Sequence, residues 1–195
     1  MTDITVKFTT NDYEFLQFNN DFLILPIVAS VVSPEKFEPA EHHPKSGNLP
    51  DNCHPNIRTA IDYWRSIHLA HHLPGRQHLD PRDISKLLAN VSLVDVVHDP
   101  IRFRLRLLGT GVVNFRGCDF TGQWLDECYT NFLEAACHHD FLELLHIRQP
   151  VWRRRPPSLT HNKDYHDVER IYLPFARDGR QIDMIFILFV FYNIS

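Results

Sequence analysis

The sequence predicts an α+β fold: an antiparallel sheet with helices packed on one side and a helix leading into it. Three observations predict it. Residues 101–107 alternate strictly, with Ile101, Phe103, Leu105 and Leu107 apolar and Arg102, Arg104 and Arg106 between them. That is the period-two mark of a strand with one buried and one wet face. Upstream, Ile57, Ala60, Ile61, Trp64 and Ile67 recur at helical spacing and make one apolar stripe. Downstream, Ile182 to Tyr192 is apolar on both faces, so that strand is central in its sheet or covered.

The elements follow in chain order. Within residues 1–54, Phe22 to Val32 is apolar enough to pair as an extra strand or to cover an apolar face, since an exposed run of this kind invites aggregation. Residues 33–55 carry Pro34, Pro39, Pro44, Pro50 and Pro55 and read as an irregular linker. Pro55 suits the first turn of the first helix, and the Leu73-Pro74-Gly75 turn is expected to end it. Pro81 opens a short helix expected over 82–88. Val91 to Val97 is β-branched and reads as a strand, and His98-Asp99-Pro100 turns into the alternating strand 101–108. Gly109 and Gly111 are expected to let the chain leave that strand through backbone angles other residues resist, and Gly122 to do the same before Trp124.

Residues 110–128 read as short helices and loops. A longer helix is expected over 130–147, with a partial stripe of Phe132, Leu133, Ala136, His139 or Asp140, and Leu144, stopped by Pro150. Residues 150–155 and 158–161 read as a strand interrupted by Pro156-Pro157. Val168 to Phe175 alternates with Ile171, Leu173 and Phe175 on one side, Asp178-Gly179 turns, and the strand from Ile182 closes the set.

Bulk properties narrow the function. A chain of 195 residues holds one domain and an extension. A net charge of −4 gives no global field to recruit nucleic acid. Residues 1–54 carry three lysines, no arginine and eight acidic residues, whereas all fifteen arginines lie in 55–195. This shift places a boundary at 54, with 1–54 a partly irregular extension and 55–195 the domain. Cys53, Cys118, Cys128 and Cys137 form no C-x-x-C pair, and the N-terminus shows no signal peptide, so reduced thiols in a cytoplasm are expected. The apolar runs 22–32 and 184–192 fall short of the about 20 residues a bilayer needs, so no membrane partner is expected.

An ordered set of short motifs carries a family resemblance. Its first half is Tyr63-Trp64-Arg65, Leu79-Asp80-Pro81, Leu93-Val94-Asp95-Val96 and Arg104 through Thr110. Then come Gly117-Cys118-Asp119-Phe120-Thr121-Gly122, Leu125-Asp126, Gln149-Pro150, Ile171-Tyr172-Leu173-Pro174-Phe175, Asp178-Gly179 and Ile182-Asp183-Met184. In this order and spacing, over roughly residues 56–192, the chain resembles small single-domain bacterial PAS proteins. The resemblance implies a five-stranded antiparallel sheet with helices on one face, and a sensory or interaction module without catalysis. It implies a small ligand, a protein signalling partner or a homodimer as the binding target.

Mapped onto this sequence, the resemblance puts ligand walls at Phe115, Trp124, Phe132, Leu133, Ala136, Trp152, Tyr172 and Met184, with Arg106 and Thr110 near the mouth. Whether these side chains leave a cavity or fill a core stays open. The aromatic pair Tyr63-Trp64 is expected to anchor the first helix on the sheet. Arg102, Arg104 and Arg106 share a face where that helix or a partner is expected, with Phe103, Leu105 and Leu107 on the other.

Other chemistries are weaker. His68, His71 and His72 have the spacing of one helix face, the basis of a rival reading as a small metal-dependent enzyme, but no H-E-x-x-H accompanies them. His138, His139 and His146 on the longer helix do not carry a haem motif, and neither haem nor flavin is supported, so the cofactor is left unknown. Arg153-Arg154-Arg155 reads as a solvated or partner-facing loop rather than a nucleic-acid footprint. Cys137 and His138 are adjacent and point about 100° apart on a helix, so they make no nucleophile–base pair. A ligand-free interaction module is the remaining alternative.

Overall fold

The computed structural model describes residues 5–10, 13–18, 21–26, 49–69, 71–157 and 165–193. The chain forms two compact units, 1–42 and 43–195. The first contains a three-stranded antiparallel meander of β1 (Thr5–Thr10), β2 (Tyr13–Phe18) and β3 (Asp21–Pro26), paired in chain order. The first part of the apolar run 22–32 is thus a strand, while 27–32, most of the proline-rich stretch and the strand continuation expected over 158–161 lie outside the described residues. Cys53 belongs to the core of the second unit and His54 caps its first helix, so 49–54 join the domain downstream.

That domain is a five-stranded antiparallel sheet ordered β5-β4-β8-β7-β6. Its strands are β4 (Val91–Val97), β5 (Arg102–Leu108), β6 (Val151–Arg155), β7 (Tyr165–Phe175) and β8 (Met184–Asn193). β8 is central, as its two apolar faces require. Helix α1 (Pro55–Ser66) has Pro55 in its first turn, and the Asn56 N–H donates to His54 Nδ1 at 3.1 Å. It buries Ile57, Ala60, Ile61 and Trp64 and lies against β7 and β8. The Trp64 indole N–H donates to the Pro174 carbonyl at 2.9 Å. Tyr63 packs half-buried against the core, and its hydroxyl accepts from the Asp80 N–H at 2.8 Å, tying down the loop after the helix.

Three further helices, α2 (Thr110–Arg116), α3 (Leu125–Cys128) and α4 (Ala136–Ile147), follow β5. The last starts later than its apolar stripe suggests, because Phe132–Glu134 is a separate 3-10 turn. The helix expected over 82–88 is a run of turns ending in a 3-10 turn at Leu88–Asn90.

The alternating strand departs from its pattern at one end. The pairings Val94↔Leu105 and Leu93↔Leu107 skip Arg106, a bulge. Arg106 and Leu107 therefore share the outer face. Leu107 is 43% exposed, and Leu108 takes the buried place expected of it. The arginines do share one face, but α1 lies over β7 and β8 instead. Trp124 lies beside two of them: Arg102 stacks 4.2 Å from its ring and Arg104 lies 5.7 Å from it, and Arg102 also pairs with Asp126 of α3 at 2.8 Å. Arg104 and Arg106 pair with Asp95 on β4.

Gly109 is required for space rather than for backbone angle. Its φ of −66° is ordinary, but an added Cβ would stand 2.3 Å from the Leu88 carbonyl oxygen. Gly122 does adopt the left-handed region expected of it, with φ +88°.

Candidate functional site

The inner face of the sheet, opposite α1, meets α2, α3 and α4. Because partners in an antiparallel ladder share a face, the register identifies that face. Ser92 pairs with Ile187 and Val151 with Tyr172, and these point inward with Val94, Leu105, Val168, Arg170 and Phe189. Across from them stand Phe115 and Arg116 of α2, Leu125 of α3, Phe132, and Cys137 and Phe141 of α4. Between the two layers is a cavity of about 40 Å³, with Pro157 at its side. That is room for a few waters or a molecule of similar size.

A buried charge cluster fastens α4 beside this cavity. Asp140, 3% exposed, accepts from Arg153 Nε at 3.0 Å and the Tyr172 hydroxyl at 3.0 Å, and pairs with Arg155. Arg153 also pairs with Glu143. Burial, and then the Asp140 charge, pushes the Tyr172 phenol well above its ordinary range. Arg153 and Arg155 are thus strand residues bound inside the fold rather than loop cations. Arg154 faces the other way, donating to Asp167 at 2.7 Å and lying 4.4 Å from the Tyr192 ring.

Two arginines line the cavity itself. Arg170 is 4% exposed, and its Nη2 donates to the carbonyls of Arg155 and Pro156 at 3.3 and 3.4 Å. Arg116 donates to the Tyr129 hydroxyl, while its Nε is buried without a hydrogen-bond partner. Burial raises the Tyr129 phenol, with the Arg116 charge acting against it. His138 sits beside the cavity wall, its ring edge-on to Phe103 and Phe132, with Nδ1 3.0 Å from the Leu133 carbonyl oxygen.

Of the residues the sequence placed in a site, Phe115, Phe132 and Tyr172 line the cavity. The other seven do not. Arg106 is on the outer face with Asp95, and Trp124 lies against Arg102 and Arg104 of that face. Trp152 is also on the outer face, its indole N–H donating to Glu169 at 2.8 Å. Met184 is buried but pairs with Asp95, which puts it on the outer face. Thr110 is exposed, Leu133 is 63% exposed, and Ala136 is half-buried at the start of α4.

Sequence reasoning missed Arg116, Asp140 as a hub, and Arg170. A signal existed for the last two: Asp140 falls on the apolar stripe of its helix, and Arg170 lies between Val168 and Tyr172 on a strand covered on both sides.

The histidine cluster does not form one helical face, because α1 ends at Ser66 and His71 has a positive φ of 67°. His68 instead packs its ring 4.7 Å from Trp64. Among the described residues no group of His, Cys, Asp and Glu is arranged to hold a metal ion. No helix among them is long and apolar enough to cross a membrane.

The sheet order, the central last strand and the helices over the inner face agree with the resemblance carried by the sequence motifs. Comparison with curated proteins and with solved structures gives no match. A family model does match, described as PAS domain, over residues 52–188. Its span begins just before α1 and ends within β8, covering every cavity-lining residue but Phe189, and the chain accordingly belongs to the PAS domain family.

Proposed function

We propose that this sensory or regulatory PAS module works by enclosing a small ligand between the inner sheet face and α2 to α4. Occupancy is relayed to a second copy or a signalling protein in the cytoplasm, and the module itself carries out no catalysis. The observation that carries this reading is the cavity, whose apolar walls are interrupted by a few polar groups, the usual makeup of a small-molecule site. Its walls come from α2, α3, α4 and four strands, so a ligand there bears on several elements at once. Its size of about 40 Å³ restricts the ligand to a compact one and speaks against haem or flavin without rearrangement.

A fragment titration followed by backbone amide NMR tests the reading. The expected result is a set of shifts centred on the cavity-lining residues. Shifts confined to the exposed outer surface, or none, would favour the ligand-free interaction module instead. Light scattering after size exclusion, with and without the bound fragment, reads the relay: an occupancy-independent monomer would remove the homodimer from it.

A further inference from the structure

We propose that the cavity binds a short-chain carboxylate, its carboxylate held by the guanidinium of Arg170 and its aliphatic body lying against Phe132 and Phe141. This rests on the small-ligand reading and names the ligand's class. Arg170 lines the cavity and is 4% exposed, yet among the described residues no carboxylate comes within ion-pairing distance of it. Its hydrogen bonds, at 3.3 and 3.4 Å, go to two backbone carbonyls and leave the rest of the fork unengaged by them. A guanidinium stays protonated in a protein, so this is a buried charge whose hydrogen bonds among the described residues go to backbone carbonyl dipoles.

The contrast lies in the adjacent wall. Arg153 and Arg155 are also inward, and both pair with the Asp140 carboxylate, Arg153 with Glu143 as well. Among the described residues, acids thus pair with those two cations and none pairs with Arg170. Arg116 adds a second positive charge on the helical side, with its Nε buried and unpartnered. Among the described residues no Asp or Glu lines the cavity. A planar guanidinium fork matches a carboxylate in two parallel hydrogen bonds. The aromatic walls favour an aliphatic body over a hydrated inorganic anion, and about 40 Å³ holds only a handful of heavy atoms.

The test is titration of the full chain with propionate, at ionic strength matched with sodium chloride, read by thermal midpoint and backbone amide NMR. Propionamide serves as the neutral isostere and isopropanol as an apolar probe. Propionate is expected to raise the midpoint saturably and to shift residues around the cavity, with propionamide at least tenfold weaker. Arg170→Gln should weaken propionate at least tenfold, whereas Arg106→Gln on the outer face should bind it as the parent does.

Equal binding of propionate and propionamide, or cavity shifts from isopropanol but not propionate, would overturn the carboxylate and leave the small-ligand reading standing. No cavity shift from any of the probes would overturn both. Should Arg170→Gln fail to fold, the propionate–propionamide comparison on the parent chain decides alone.

Discussion

Glu169 shows how a single buried side chain organises the outer face. It is fully buried and accepts from the His54 N–H at 3.0 Å, the Trp152 indole N–H at 2.8 Å and the Tyr192 hydroxyl at 2.7 Å. It thereby joins the start of α1 to β6, β7 and β8. Burial, and then the Glu169 carboxyl, pushes the Tyr192 phenol up to about 12. Glu169→Ala would strand donors in a dry site and should cost about 3 kcal/mol in denaturant unfolding. Glu169→Gln keeps an acceptor and should cost about 1 kcal/mol; equal losses would show that packing, not hydrogen bonding, sets the effect. His138 gives a pH signature of its own. Its pKa is lowered, mainly by burial, with the Leu133 carbonyl opposing the shift. Above about pH 6.5 the ring is neutral in both folded and unfolded chains and adds no slope. As pH falls below that value the unfolded chain takes up the proton more readily, so stability falls toward acid. His138→Phe keeps the aromatic packing and should flatten that part of the stability–pH curve; an unchanged slope would assign it to other groups.

At the scale of elements, the junction between β5 and α2 is set by clearance. Gly109→Ala places a methyl group 2.3 Å and 2.4 Å from the carbonyl oxygens of Leu88 and Ala89, both backbone and unable to rotate away. The strand end or the 3-10 turn must move, at a cost of about 2–3 kcal/mol by the measure of overpacked cores. Gly122→Ala meets nothing within 4 Å, and only its left-handed backbone resists, so about 1–2 kcal/mol is expected. Unfolding curves for the two variants separate the causes, and a larger loss at Gly122 would reverse the assignment. The same junction shows what was legible in the sequence. Strands, the first helix and the turn at Asp178-Gly179 were readable because periodicity and turn chemistry are local. The bulge at Arg106 was not, because it is a property of the pairing with β4, and it alone decides that Leu107 faces outward. The site was legible only at Phe115, Phe132 and Tyr172. Trp152 and Met184 sit one register step from inward positions, and period-two alternation cannot say which of two buried faces bears a cavity.

At the scale of the whole molecule, the apolar core described for this chain draws on Cys53 to Val190, with Leu49 and Tyr192 among its partly buried neighbours. Every strand of the five-stranded sheet, the charge cluster at Asp140 and the Glu169 network lie within 43–195, the second compact unit. The remaining strands pair only among themselves. A domain with its own sheet, core and polar satisfaction has what it needs to fold alone. Deletion of residues 1–42 should therefore leave one cooperative unfolding transition, with a midpoint within a few degrees of the full chain. The denaturant slope should fall no further than the lost surface accounts for, since it scales with the area exposed on unfolding. Cutting instead at 54, where the charge composition changes, removes Cys53 from the core and the His54 cap from α1. That shorter chain should lose about 2–3 kcal/mol relative to 43–195, from the missing cap, the buried apolar group and the donor to Glu169. Equal stability of the two truncations would return the boundary to 54, and collapse of the 43–195 chain would show that the meander strands contribute to the domain's core.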